Sequence, residues 1–203
     1  GAHVARAASA RRYTEDGSVA LAQAATALWA LPDAADPARD ALLVVALAGG
    51  STRALRLHAG TATPAAPAGL DTAQPTLLCA ALGRDCAVQV TETGVHTLNS
   101  THAWSLPSDC AERFCAAAVA GTHVAVASTR GTVRVFALAR DGAVVCAATR
   151  AVCGVPDGSL FASMALWDSG ALTALIGTWD GRLLVVPLGE GAGDDTPPVV
   201  VGE

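Results

Sequence analysis

The sequence contains no lysine: all 13 basic residues are arginine, set against 18 Asp and Glu, for a net charge of −5 and a pI near 5.4. Apart from Arg11 and Arg12 the arginines are scattered singly. A surface that holds a nucleic-acid duplex clusters its basic side chains, because the release of phosphate counterions drives that association. Direct nucleic-acid binding is therefore not expected of this chain. Long apolar runs are missing as well. The longest candidate, residues 19–31, is interrupted by Gln23 and Thr26 and is shorter than the roughly 18 apolar residues of a membrane-spanning helix. Charged residues make up only 15% and hydrophobic ones 52%, which demands a buried core and excludes a disordered polymer for most of the length. About a quarter of the residues are alanine, so the side chains are small. The opening GAHVARAASARR has arginines but no apolar block, unlike a secretory signal, and the missing initiator Met suggests a fragment. A chain of 203 residues has room for one domain or two small ones.

The motifs of common catalytic chemistries are also absent. There is no GxSxG elbow, no HExxH and no Gly-Lys phosphate loop. Ser159 sits beside an expected turn, Asp194-Asp195 lies in a Gly-rich tail, and His58 and His123 stand at strand ends, where each suits a rim or turn role better than catalysis. Six cysteines, at 79, 86, 110, 115, 146 and 153, form no CxxC. His96, His102, Cys110 and Cys115 are the set from which a zinc site would be drawn, but the short ligand knuckle is lacking. Free, buried thiols in a reducing compartment are the better expectation. No enzymatic activity, metal or cofactor is expected.

What is present is a rhythm of short apolar runs separated by Gly-containing turns, which predicts an all-β chain. Four stretches read as hairpins: 42–57 turning at Gly49-Gly50, 86–98 at Thr93-Gly94, 123–138 at Arg130-Gly131 and 171–188 at Asp180-Gly181. Gly50, Gly94, Gly131 and Gly181 are thus the structural turn residues, spaced by 44, 37 and 50 residues. Each interval is long enough for one four-stranded antiparallel sheet, as in a β-propeller blade. Further strands are expected at 76–82, 114–119, 143–149 and 160–166. In LLVVP, Leu183 and Val185 alternate with Leu184 and Val186, so both faces are apolar, as in sheets stacked on sheets; a β-sandwich would share that turn spacing.

The predicted architecture is a partial β-propeller of about four blades over residues 28–203, with units near 28–58, 75–106, 113–149 and 160–203. Residues 1–27 read either as an Ala-rich helix or as the end of a preceding blade. Residues 59–75 and the tail 189–198 read as loops, and residues 199–202 as a strand of a sheet whose remainder lies outside the chain. Trp179-Asp180 is a partial match to the WD dipeptide, but it precedes the turn glycine and has no upstream Gly-His partner, so it marks a similar architecture and not that repeat family. An incomplete ring leaves sheet faces uncovered, so the isolated fragment is expected to aggregate.

The order of segments over most of residues 27–188 resembles the second β-propeller of a nuclear scaffold family. That family comprises damage-specific DNA-binding protein 1, the large propeller subunit of splicing factor 3b and the large subunit of cleavage and polyadenylation specificity factor. Trp29-Ala30-Leu31, Thr52-Arg53 with Leu55, Val88-Gln89-Val90-Thr91, and Ile176-Gly177 with Trp179 are most similar to the damage-binding member. Pro75-Thr76-Leu77, Cys79, and Leu82-Gly83 with Asp85 are more similar to the splicing subunit. The resemblance implies a nuclear, non-enzymatic platform whose partners are proteins, either a cullin scaffold or spliceosomal subunits. Nucleic acid would be reached only through the complex, and no membrane is involved.

Overall fold

Short apolar runs bounded by turn residues become strands throughout the computed structural model, which describes residues 2–8, 12–32, 41–58, 61–82, 86–139, 142–152, 161–189 and 198–201, with side chains from Val19 onward. Strands β1 (Ala2–Ala8) and β2 (Arg12–Val19) form a two-stranded antiparallel hairpin. Four four-stranded antiparallel sheets follow, each built from consecutive strands. Sheet I holds β3 (Ala25–Pro32), β4 (Ala41–Leu47), β5 (Thr52–His58) and β6 (Thr61–Ala65). Sheet II holds β7 (Thr76–Leu82), β8 (Cys86–Thr91), β9 (Gly94–Thr97) and β10 (Ala103–Ser105). Sheet III holds β11 (Phe114–Ala120), β12 (His123–Ser128), β13 (Thr132–Leu138) and β14 (Val144–Ala151). Sheet IV holds β15 (Phe161–Asp168), β16 (Leu172–Thr178), β17 (Leu183–Pro187) and β18 (Val199–Val201).

The first strands touch in succession, β3 against β7, β7 against β11 and β11 against β15. They are rich in alanine, as in FCAAAVA of β11, and small side chains let backbones approach where the sheets converge. Four-stranded antiparallel sheets, stacked face to face about their inner strands, make a partial β-propeller.

Strand periodicity builds the cores between sheets, because successive side chains point to opposite faces. On β12, Val124 and Val126 enter the core shared with sheet II, together with Leu82, Val88, Val90 and Phe136. Ala125 and Ala127 enter the core shared with sheet IV, together with Phe161, Ile176, Leu184 and Val186. On β4, Leu42 and Val44 face sheet II, whereas Leu43, Val45 and Leu47 pack on the other side with Val19 and Leu21. Burying one such Val or Leu contributes about 1.5–3 kcal/mol.

Several sequence expectations are corrected. Of the two readings of residues 1–27 the helix is the one that fails: β2 ends at Val19, residues 20–24 connect, and β3 begins at Ala25. Residues 59–75 are not all loop, since Thr61–Ala65 pairs with β5 as an edge strand, where Pro64 is tolerated. β18 belongs to a sheet within this chain, with Val199, Val200 and Val201 opposite Val185, Leu184 and Leu183. Gly94 is not the turn residue of its hairpin. Glu92 and Thr93 make the connection, Gly94 opens β9, and its φ is not positive. A Cβ on Gly94 would lie 2.9 Å from both His96 Nε2 and the Trp104 carbonyl, so closeness of β10 and not left-handed backbone requires glycine there. Gly50, Gly131 and Gly181 have φ of 79°, 72° and 87°. Finally, β17 does not bury both faces: Leu184 and Val186 are buried, whereas Leu183 is 40% exposed.

Candidate protein-binding surface

Polar chemistry in this molecule is concentrated at the seams between sheets. Between sheets I and II, the fully buried Gln89 of β8 donates from Nε2 to the Thr76 hydroxyl (2.7 Å) and to the Asp71 carbonyl (2.8 Å), and its Oε1 accepts from the Asp71 amide (2.8 Å). Thr52 of β5 donates to the Gln74 carbonyl at 3.1 Å, which leaves the Thr76 hydroxyl to donate across the 2.7 Å contact to Thr52. Every polar atom of the Gln89 amide group is thereby satisfied, and the segment joining β6 to β7 is tied to both sheets.

Between sheets II and III lies a buried ion pair. Glu112, in the link from β10 to β11, accepts two parallel hydrogen bonds from Arg134 of β13, Nη1 to Oε1 at 2.8 Å and Nη2 to Oε2 at 2.9 Å. Thr132 adds a third at 2.8 Å, and its hydroxyl contacts that of Ser128 at 2.7 Å. The Arg134 guanidinium also stands 5.8 Å from the Trp104 ring centroid and 5.9 Å from that of Phe114. Hydrogen bonding from Arg134, outweighing the cost of burial, holds the Glu112 carboxyl down at about 2. Between sheets III and IV, the Arg150 guanidinium donates to the Pro187 carbonyl.

The cysteines and histidines do not gather. Among the described residues no three His, Cys, Asp or Glu side chains come close enough together to hold a metal ion, so His96, His102, Cys110 and Cys115 are not brought into one site. Cys79, Cys86, Cys110, Cys115 and Cys146 are free thiols. Burial pushes Cys79 up to about 12 and raises Cys86 and Cys115, which removes their thiolate character near neutral pH. His96 on β9 is half-buried with Nε2 unpartnered, and desolvation lowers its pKa against the opposing pull of Asp71. His123 opens β12 with a buried, unpartnered Nδ1, and His58 closes β5, exposed. Ser159, Cys153 and Asp194-Asp195 lie outside the described residues. The Glu112–Arg134 pair was missed by sequence reasoning, although an arginine at an inward position of an apolar strand, TVRVF, is the signal that calls for a buried acid.

Two surfaces remain for recognition. A groove of about 450 Å³ runs between Val19–Gln23 and strands β5 and β6, lined chiefly by apolar residues such as Leu21, Leu55 and Pro64, with Arg53 its one charged residue among the described side chains. The second is the outer face of sheet IV. Of the eight large hydrophobic side chains exposed among the described residues, four lie on this face, Trp167, Leu183, Val199 and Val201, and Trp179 stands in the adjoining hairpin turn. Trp179 of the Trp-Asp dipeptide projects from the β16–β17 turn, 75% exposed. The adjoining Asp180 binds the Thr178 hydroxyl and pairs with Arg182 at 3.1 Å.

Comparison with known proteins accords with this architecture. The family model of the RSE1/DDB1/CPSF1 second β-propeller matches residues 14–197. Among solved structures, a crystal structure of BBS1N in complex with ARL6DN, soaked with mercury, superimposes with a TM-score of 0.53 at 13% identity, over 86% of this chain and 53% of that one. At that identity the likeness concerns the fold, and this chain spans about half the length of its structural relative. No curated protein matches the sequence.

Proposed function

Because the chain belongs to the RSE1/DDB1/CPSF1 second β-propeller family, we propose that it is a non-enzymatic scaffold in the nucleus that assembles protein partners, in the manner of the DNA-damage-binding adaptor of cullin-RING ubiquitin ligases. One observation carries this reading: the polar groups buried at the seams are occupied in holding sheet to sheet. Glu112 is neutralised by Arg134, the Gln89 amide is fully bonded, and the buried thiols are pushed away from ionisation. Exposed apolar area is left over, and exposed apolar patches on a rigid frame mark protein-interaction sites. The structurally similar BBS1N propeller was crystallised with a protein partner, ARL6DN, which supports protein binding as a use of this fold. Free thiols suit a reducing compartment such as the nucleus. Nucleic acid is then reached through the assembled complex.

Binding of the chain to a purified cullin scaffold and to purified splicing factor 3b subunits, measured side by side by biolayer interferometry, separates the family members. Saturable binding to the cullin is the expected result. Binding to the splicing subunits without the cullin would transfer the chain to the splicing branch, to which Pro75-Thr76-Leu77 and Cys79 are similar.

A further inference from the structure

Each sheet ends at the rim in a fourth strand with a free edge, and among the described residues these edges differ. β6 carries Pro64, which has no amide to donate, and β10 and β18 are three residues each. β14 has eight residues, Val144–Ala151, and no proline. It belongs to sheet III, which packs against a sheet on either side, so its free edge does not depend on which sheet comes first or last in the stack. Hydrogen bonding along β14 alternates. The Val152 amide donates to the Gly131 carbonyl, and in an antiparallel ladder every second residue repeats that direction. Arg150 and Ala148 therefore turn their backbone groups toward Val133 and Val135 of β13, and the exposed Thr149 and Ala151 turn theirs outward. The one irregularity of this pairing falls before Ala148. A cavity of about 130 Å³ opens beside the same stretch, walled by Val133, Val135, Ala148 and Arg150 of sheet III and by Pro187 and Leu188 at the end of β17. Residues paired across a ladder share a face. On any strand added to β14, the side chains opposite Ala148 and Arg150 would therefore point to the side of the cavity.

We propose that the β14 edge docks an extended segment of a partner protein, which adds to sheet III as a fifth strand and sets one aliphatic side chain, opposite Ala148, in the cavity. The outward amides and carbonyls of Thr149 and Ala151 supply hydrogen bonds that any sequence can meet, and the cavity supplies the selection. Its size suits one such side chain, since a hollow of about 150 Å³ takes a molecule as large as benzene. A second copy of this chain fits poorly. In both antiparallel registers that engage Thr149, pairing it with Thr149 or with Ala151 of the copy, the copy's Arg150 arrives opposite Ala148 or Arg150. Two guanidinium groups would then crowd one cavity, and like charges set opposite each other destabilise a ladder. The other side chains that the copy brings here are Ala and Thr, too small to fill the space. The proposal rests on the scaffold reading for the class of its partner.

A phage-displayed library of random linear peptides, selected on the immobilised 203-residue chain, tests the idea. Enriched peptides should share an aliphatic residue at one position and bind saturably. In the complex, hydrogen exchange at the Thr149 and Ala151 amides should slow about tenfold or more, while the inward-turned Arg150 amide changes little. Thr149→Pro, which removes an outward amide and no ladder bond to β13, and Ala148→Trp, which fills the cavity from an exposed position, should each weaken binding about tenfold or more with the β-sheet circular dichroism of the parent retained. If neither variant folds, N-methylation of alternate amides in the selected peptide replaces them with the same expectation. A library that yields no enrichment over selection without the chain would overturn the proposal. So would bound peptides that leave the Thr149 and Ala151 amides unprotected, or that bind the folded variants equally well. A chain that dimerises in sedimentation velocity and ceases to do so as Thr149→Pro would also overturn it, by assigning the edge to a second copy. Cullin and splicing-subunit binding are measured without these peptides, so a failure there and a failure here are told apart.

Discussion

Glu112 shows how much of this fold can hang on one carboxylate. Its pKa lies far below the ordinary 4.5, at about 2, so the native state holds the ionised form more tightly than the unfolded chain does. The corresponding stability is fully present above about 4.5 and is lost as pH falls from there through 2. Glu112→Gln should remove that part of the acid transition. Glu112→Ala, which strands the Arg134 charge, should cost about 3–5 kcal/mol at neutral pH by urea denaturation. Glycines separate into two kinds at this scale. A Cβ on Gly131 meets nothing within 4 Å, so Gly131→Val should pay only for its backbone at φ 72°, about 1–2 kcal/mol. Gly69 has φ 77°, and a Cβ there would sit 2.2 Å from the Thr97 carbonyl oxygen and 2.5 Å from that of Ser100. Gly69→Ala should therefore lower the melting temperature more than Gly131→Val does. If the two fall together, crowding is not what sets Gly69 apart. Turn glycines were legible because a turn needs them locally, but the roles of Gly69 and Gly94 depend on distant backbone and leave no local mark.

At the scale of strands, the apolar runs on either side of Gly50, Gly131 and Gly181 announced β4, β5, β12, β13, β16 and β17, because period-two apolar runs ended by a turn have few other solutions. β6 was hidden because TATPA is polar and carries a proline, properties of an edge strand that buries little. β3 was ambiguous because ATALWALP is alanine-rich, and alanine favours helix in isolation; its register along β4 overrides that preference. The apolar faces of β17 suggested burial on both sides, but sequence records what a face suits and not whether a neighbour is there. The difference is measurable. Val126 is fully buried in the core between sheets II and III, and Val126→Ala should cost about 2 kcal/mol or more. Val185, half-buried on the outward side of β17, should cost well under half as much when changed to Ala. Equal losses in denaturant titrations would mean that the open face is buried after all.

The whole molecule is a stack, in which each sheet relies on the neighbours it touches, and stability in such arrays is close to a sum of nearest-neighbour terms. Sheets II and III are held on both sides, whereas sheet IV is held on one. Native-state hydrogen exchange should therefore show β15–β18 amides opening at lower free energy than those of β7–β9 and β11–β13. Uniform protection across the four sheets would refute the idea of separable terms. The seams were the least legible feature of the candidate surface. Sequence reading placed Cys110 and Cys115 in a conceivable zinc set with His96 and His102, yet the link carrying Cys110 is organised around Glu112. Partners from β10, β13 and the connecting segment meet only after two sheets have stacked.

Each sheet takes its four strands in unbroken succession, with no strand borrowed from a later part of the chain. A polypeptide leaving a ribosome at about 5–20 residues per second, with hairpins closing in microseconds, can finish one blade before the next has been translated. Each new blade then arrives on a surface that has been waiting for it for seconds, and for that interval a nascent-chain chaperone would have an oily plane to hold.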